Sequence, residues 1–478
     1  MRDGRVGYTL HREGKALLDF STLGFELKDA PALRDGLEIC GTETDSFDET
    51  WEQVWGEEHF VRNHYNELTV SLRERQAPNR RFDVVFRLFD DGLGFRYEYE
   101  VPGRDSLVVT DECTEFRFAE DGTSWTIPAS FETYELLYRT LPLHELEDAN
   151  TPATFRTAGG LYGSIHEAAL YDFPEMVLRR CDSLSFKADL APLPDGTKAR
   201  VAARFTTPWR TVQLAPEAVG LINSSLILNL NEPSKIEDTS WIRPMKYIGV
   251  WWSMHLGLDT WAMDDRHGAT TEQAKRYIEF AADNHIDAVL FEGWNEGWET
   301  WGGEQYFDYR KPYADFDIEE IADYARHLGI ELIGHHETGG NVPEYERQLD
   351  SALMWYADLG VHNLKTGYAG GFPDGYLHHS QYGVRHYRKV IETAARYNIM
   401  IDNHEPVMPT GLERTWPNLM TQEGVRGQEY NAWSPDGGNP PEHTTVVPFL
   451  RGLAGPMDYT FGTFRFDNPV SPFARVQS

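Results

Sequence analysis

The stretch DIEEIADYARHLGIELIGHHETGG (317–340) decides the fold class: a helix-like run, 317–329, feeds directly into an apolar strand-like run, IELIGHH (330–336), whose end is polar. The same beat extends on both sides. Toward the N-terminus lie KYIGVWWSM (246–254), TTEQAKRYIEFAADNH (270–285) and IDAVLFEGW (286–294). Toward the C-terminus lie YERQLDSALMWYADLG (345–360), VHNLKTGY (361–368), QYGVRHYRKVIETAARYN (381–398) and IMIDNHE (399–405). With two or three further segments this makes roughly eight units. Such alternation implies a parallel sheet, here expected to close into a (β/α)8 TIM-type barrel over 246–478, close to the ~250 residues that a barrel typically needs.

Residues 1–232 read differently. RFDVVFRLF (81–89), GFRYEYEV (94–101), SLVVT (106–110) and SLILNLN (225–231) are short alternating runs separated by Gly, Pro and Asp turns, which predict an N-terminal β-sandwich with almost no helix. A polar linker at 233–245, within NEPSKIEDTSWIRP (231–244), separates the two domains. Two domains also suit a chain of 478 residues. No internal repeat or low-complexity segment interrupts either half.

A net charge of −32 excludes nucleic acid as the natural partner, since phosphate binding needs clustered cations. The cations themselves are skewed, 10 Lys against 34 Arg, and with the excess of acid this points to a salt-adapted source. Cys40, Cys113 and Cys181 are too few and too scattered for a disulfide framework. No apolar run reaches the ~18 residues of a membrane span, and MRDGRVGYTL (1–10) contains no export signal. The expected protein is soluble, a monomer or weak dimer, and secreted only if an N-terminal piece precedes residue 1. The close, RFDNPVSPFARVQS (465–478), reads as an interruption rather than a natural end.

Barrel chemistry sits just past the carboxyl ends of the strands. There the sequence supplies His335, His336 and Glu337; His404 and Glu405; Glu423 and Glu429 in QEGVRGQEYNAW (422–433); and Glu292 and Glu296 with Trp294 and Trp298. Cleaving a glycosidic bond needs one carboxyl to protonate the leaving oxygen and a second to activate water or attack the anomeric carbon. Several glutamates on one rim meet that need. Any one alone could as well cap a helix or pair with a cation. His335, His336, Lys365, His404, Glu292 and Trp294 are the expected substrate contacts, with support of the glutamates from behind as the alternative for His335 and His404. A zinc site is disfavoured, because adjacent residues of HHE point to opposite faces of a strand.

These residues lie in stretches that resemble glycoside hydrolase family 97: SIHEAALYDF (164–173), IGVWWSMHLG (248–257), LFEGWNEGW (290–298), IGHHETGG (333–340), NHEPVMPTGLERTWPNLMTQEGVRGQEYNAW (403–433) and PEHTTVVPFLRGLAGPMDYTFG (441–462). The family includes inverting α-glucosidases and retaining α-galactosidases. The resemblance implies that Glu429 is the general acid and that Glu337 and Glu405 serve the base side. It also implies a Ca²⁺ ion held by Glu167, Glu405 and Glu423, which would make the sandwich part of the active site. The retaining branch carries an Asp nucleophile after the fourth strand, where this chain has Gly367, and lacks the two base glutamates. Inversion is therefore expected, with acid and base about 6.5 to 9.5 Å apart and maltose or malto-oligosaccharides cut from the non-reducing end. A retaining α-galactosidase and a carbohydrate-binding protein without turnover remain as alternatives. The family's small C-terminal β-domain is not evident, and is expected to be missing.

Overall fold

The computed structural model describes all residues except Asp3, Asp29, Pro102, 303–305, 462–467 and 469–478. The stretch 465–478, apart from Asn468, thus lies outside the described residues. The N-terminal half is β-rich. Its main sheet is antiparallel, and it runs in space through the strands Arg139–Pro142, Gly122–Thr126, Ala153–Thr157, Tyr162–Ala168, Trp209–Ala215, Gly92–Glu100, Arg81–Phe89, Phe60–Glu74 and Leu37–Glu52. Smaller antiparallel sheets share its core. Alternation of side chains sends Phe82, Tyr97 and Tyr99 inward to meet Phe25, with ring centroids 5.4 Å apart for both Phe25–Phe82 and Phe25–Tyr99.

One expected strand is a helix. In SLILNLN, Leu226–Asn229 forms a single helical turn, and Leu226, Ile227 and Leu230 pack against Trp209 and Val85. An apolar run this short has no period that distinguishes a strand from a buried turn of helix.

Deep in the β-rich half, Arg210 stands directly across the strand pair from Glu167. Its Nε and Nη2 donate to both oxygens of Glu112 (2.9 and 2.7 Å), and its Nη1 donates to Glu167 Oε2; all three side chains are fully buried. Removing the cation strands two carboxylates out of water. Arg210→Met is therefore expected to cost about 3–5 kcal/mol, read from urea unfolding.

The C-terminal half is α/β. Tyr247–Val250, Ala288–Phe291, Glu331–Glu337, Asn363–Gly367, Met400–Asn403 and Leu419–Gln422 pair in sequence order, and every pairing is parallel. The helices Thr271–Asp283, Ile318–Leu328, Val342–Leu359 and Gln381–Arg396 cross between them. Local sequence explains the helix that decided the fold. Asp317 accepts the Glu320 N–H at its start, Gly329 closes it at φ 72°, and Ile318, Ile321, Ala322 and Ala325 are buried along one stripe. Each of the two isoleucines contributes about 1.5–3 kcal/mol by that burial.

The expected eight strands are six among the described residues. KYIGVWWSM turns into a helical turn at Trp252–His255, and the described residues after Gln422, rich in Gly and Pro, add only a single parallel bridge, Gln422 to Met457. The sheet nevertheless curls. Tyr247, on the first strand, donates at 3.3 Å to Asp402 of the fifth and to Asp458 beyond the sixth. Backbone bonds join the halves, among them Ala169 N–H to Thr410 O and Glu175 N–H to His379 O, both 3.0 Å, and His379 N–H to Phe131 O at 3.1 Å. No helix among the described residues is long and apolar enough to cross a membrane.

Candidate functional site

The carboxyl ends of the strands open into a cavity of about 1010 Å³, lined by Glu292, His335, Glu337, Lys365, His404, Glu405 and Glu429 among others. His335 and Glu337, two apart on the third strand, share its inner face. Glu337 Oε1 accepts three backbone N–H groups, from Thr338 (2.8 Å), Gly339 (2.7 Å) and Ala369 (3.2 Å). Oε2 faces the fourth strand at Gly367, where a built Cβ would stand only 2.2 Å from it. Burial, and then the neighbouring Glu405, push the Glu337 carboxyl well above the usual range.

Glu405 follows the fifth strand in a left-handed conformation, φ 48°, which costs a non-glycine residue energy and turns its side chain into the cavity. Its Oε2 accepts the Tyr368 N–H at 2.7 Å. Burial raises its pKa, with a further push from Glu429. Glu423, after the sixth strand, is buried; its Oε1 makes no hydrogen bond and lies 3.5 Å from His404 Nδ1. Its Oε2 accepts the Glu405 N–H (3.3 Å) and the Tyr134 hydroxyl (3.4 Å). The turn depends on Gly424 at φ 60°, where a Cβ would meet Arg451 Nε at 2.4 Å. Glu429 precedes the helical turn Tyr430–Trp433, and its Oε2 lies 3.4 Å from His255 Nε2.

The cations are placed as firmly. Lys365 donates to Glu292 Oε1 at 2.9 Å, and although burial would raise the Glu292 pKa, Lys365 and then His335 hold it well below the usual carboxylate range. Burial and Lys365 would discharge His404, but Glu423 and Asp458 outweigh them and hold its pKa well up; Nε2 donates to Asp458 at 2.7 Å. For His335 burial outweighs the opposing pull of Glu292 and lowers it to about 4.

Three expected site residues fall elsewhere. His336 points to the far face of its strand, with Nδ1 3.1 Å from the Tyr345 hydroxyl and its ring stacked on Tyr356, so it does not reach substrate. Trp294 is buried among Trp355, Tyr356 and Phe316, donating to the His335 carbonyl at 2.8 Å. Glu167 is engaged by Arg210 and by the Met176 N–H (3.0 Å), and among the described residues it joins no carboxylate cluster; burial, offset in part by Arg210, raises it to about 7.

The β-rich half does reach the cavity, through Glu135. Side-chain oxygens of Glu135, Glu423 and Glu429 lie within 4.8 Å of one another, as do ligand atoms of His404, Glu405 and Glu423. Burial and then Glu423, Glu429 and Glu405 push the Glu135 pKa well up, and Glu423 is raised by burial and by its carboxylate neighbours in the same way. Four mutually repelling carboxylates crowded beside His404, with Glu423 Oε1 buried and making no hydrogen bond, form an oxygen-rich donor set that fits a hard divalent cation. Tyr134 and Glu135 follow no strand-like run and carried no signal in the sequence; His255 and Asp458 lie in the quoted stretches 248–257 and 441–462 but were not singled out there.

A cavity of this size with several carboxylates on its wall, beside Lys and His side chains, suits hydrolysis of a sugar acetal. Residues 1–233 match the glycosyl-hydrolase 97 N-terminal domain and residues 251–425 match glycoside hydrolase 97. The chain is similar to a glycoside hydrolase family 97 enzyme from Pseudoalteromonas sp. strain K8 solved with acarbose (41% identity, TM-score 0.93, covering 97% of this chain and 73% of that one), and equally to a variant of that enzyme solved with panose. Among curated proteins it is similar to the retaining alpha-galactosidase of Bacteroides thetaiotaomicron, at 26% identity over 96% of this chain and 70% of that protein. It is 27% identical to a probable retaining alpha-galactosidase of Streptomyces bingchenggensis, covering 96% of this chain and 67% of that protein. Both halves of the chain match the same family and the strand-end carboxylates gather in one cavity: the protein belongs to glycoside hydrolase family 97.

Proposed function

We propose that the protein is an α-glucosidase that removes terminal glucose from maltose and short malto-oligosaccharides with inversion at the anomeric carbon. The observation that carries this reading is the contact between Glu337 and Gly367. A retaining enzyme needs a carboxylate nucleophile close beneath the anomeric carbon. The fourth strand offers only Gly367 there, and a side chain at that position and Glu337 in its present place exclude each other. That contact supports inversion over the retaining mechanism named for the α-galactosidase relatives.

In the proposed reaction Glu429 protonates the leaving oxygen. Glu337, its Oε1 saturated by three N–H donors, offers Oε2 to take a proton from water, with Glu405 on the same side. Lys365 with Glu292, His335 and His404 hold the sugar hydroxyls. Glu405 and Glu423 would hold Ca²⁺, with Glu135, gathered beside Glu423, taking the part expected of Glu167. When bound, the ion supplies positive charge that lets these carboxylates stay ionised side by side.

The test is a comparison of p-nitrophenyl α-glucoside with p-nitrophenyl α-galactoside, with and without a chelator. The α-glucoside is expected to react at least about 100-fold faster, because the two sugars differ in the orientation of the C4 hydroxyl, and a site built to hydrogen-bond one orientation leaves buried polar groups unpaired with the other. Activity is expected to vanish on chelation and return with Ca²⁺. Faster cleavage of the α-galactoside overturns the reading.

A further inference from the structure

Trp433 is a large aromatic ring left 42% exposed on the lip of the cavity. Glu429 already has helical backbone angles, φ −55° and ψ −30°, and Tyr430–Trp433 is the helical turn it opens. Residues 429 and 433 are therefore separated by one helical turn and stand on the same side, with Cβ atoms about 5–6 Å apart. That is comparable to the span of one pyranose ring. Both side chains line the cavity.

The ring is also braced. Its centroid lies 4.3 Å from that of Tyr430, and Tyr430 is covered by the Arg426 guanidinium at 4.2 Å. Arg426 is pinned in turn by Asp436 (2.7 Å) and Asn439 Oδ1 (3.0 Å). An exposed aromatic held rigid beside a cavity has little conformational entropy to lose on binding, the property that makes such rings good contact surfaces.

We propose that Trp433, braced by Tyr430, is the platform for the leaving-group side of an α-glucan, so that the preferred substrates carry two or more glucose units beyond the scissile bond. This rests on Glu429 as the proton donor: a glycosidic oxygen held there directs the leaving chain along the face that Trp433 shares. The second leaving-group sugar then stacks on the indole, and smaller leaving groups do not reach it.

The test is kcat/KM for maltotetraose and for p-nitrophenyl α-glucoside in the wild type, Trp433→Ala and Trp433→Phe. The ratio of maltotetraose to the aryl glucoside is expected to fall about tenfold in Trp433→Ala, the worth of one aromatic contact, and to recover largely in Trp433→Phe. A ratio that does not change in Trp433→Ala overturns the proposal, whether both substrates suffer equally or neither does. A wild type inert toward both substrates refutes the α-glucosidase reading itself, so the two failures are distinct.

Discussion

Glu429→Gln is expected to lower kcat/KM for maltose about a thousandfold, within the range general acid catalysis supplies, while α-glucosyl fluoride is hydrolysed within about tenfold of the wild-type rate. Glutamine keeps the shape and the 3.4 Å approach to His255 but has no proton to give. A glucose leaving group departs as a poor alkoxide unless protonated, whereas fluoride needs no such help. The split between the two substrates is the signature of a proton donor. An equal loss on both would mean that Glu429 positions substrate or metal instead.

Gly367→Ala is expected to lower kcat about a hundredfold, with the fold intact, because misplacing a reacting group by ~1 Å can cost that much. The added methyl would lie 2.2 Å from Glu337 Oε2, and Glu337 Oε1 is tied to three N–H groups, so the carboxyl cannot shift without breaking them. Circular dichroism should be unchanged while maltose hydrolysis collapses. Wild-type turnover in Gly367→Ala would show that Glu337 is not the base.

Much of this site was legible because parallel strands deliver their carboxyl ends to one rim. Glu337, Glu405 and Glu423 each follow an apolar run, and the cavity gathers the first two with Glu429. Strand alternation also foretells that His335 and Glu337 share a face while His336 turns away, and the sequence reading did not apply it to substrate contacts. Trp294 defeats such counting: Gly293, at φ 72°, reverses the chain after the second strand, so Glu292 faces the cavity and Trp294 the core. Glu167 was misplaced for a different reason. Its burial is set by a cross-strand partner, Arg210, which only the register reveals. Glu135 lies in an irregular segment of the β-rich half, and only folding brings it to Glu423 and Glu429. Six strands are present among the described residues where eight were expected, because glycines and prolines beyond Gln422 break the strand-and-helix alternation of the earlier segments.

The most direct measurement is the anomeric form of the first glucose released from an α-glucoside, followed by proton NMR before mutarotation. In the proposed mechanism water activated by Glu337 attacks from the face opposite the leaving group, which predicts β-glucose. Release of α-glucose would require a covalent intermediate that Gly367 cannot supply, and would contradict the mechanism outright.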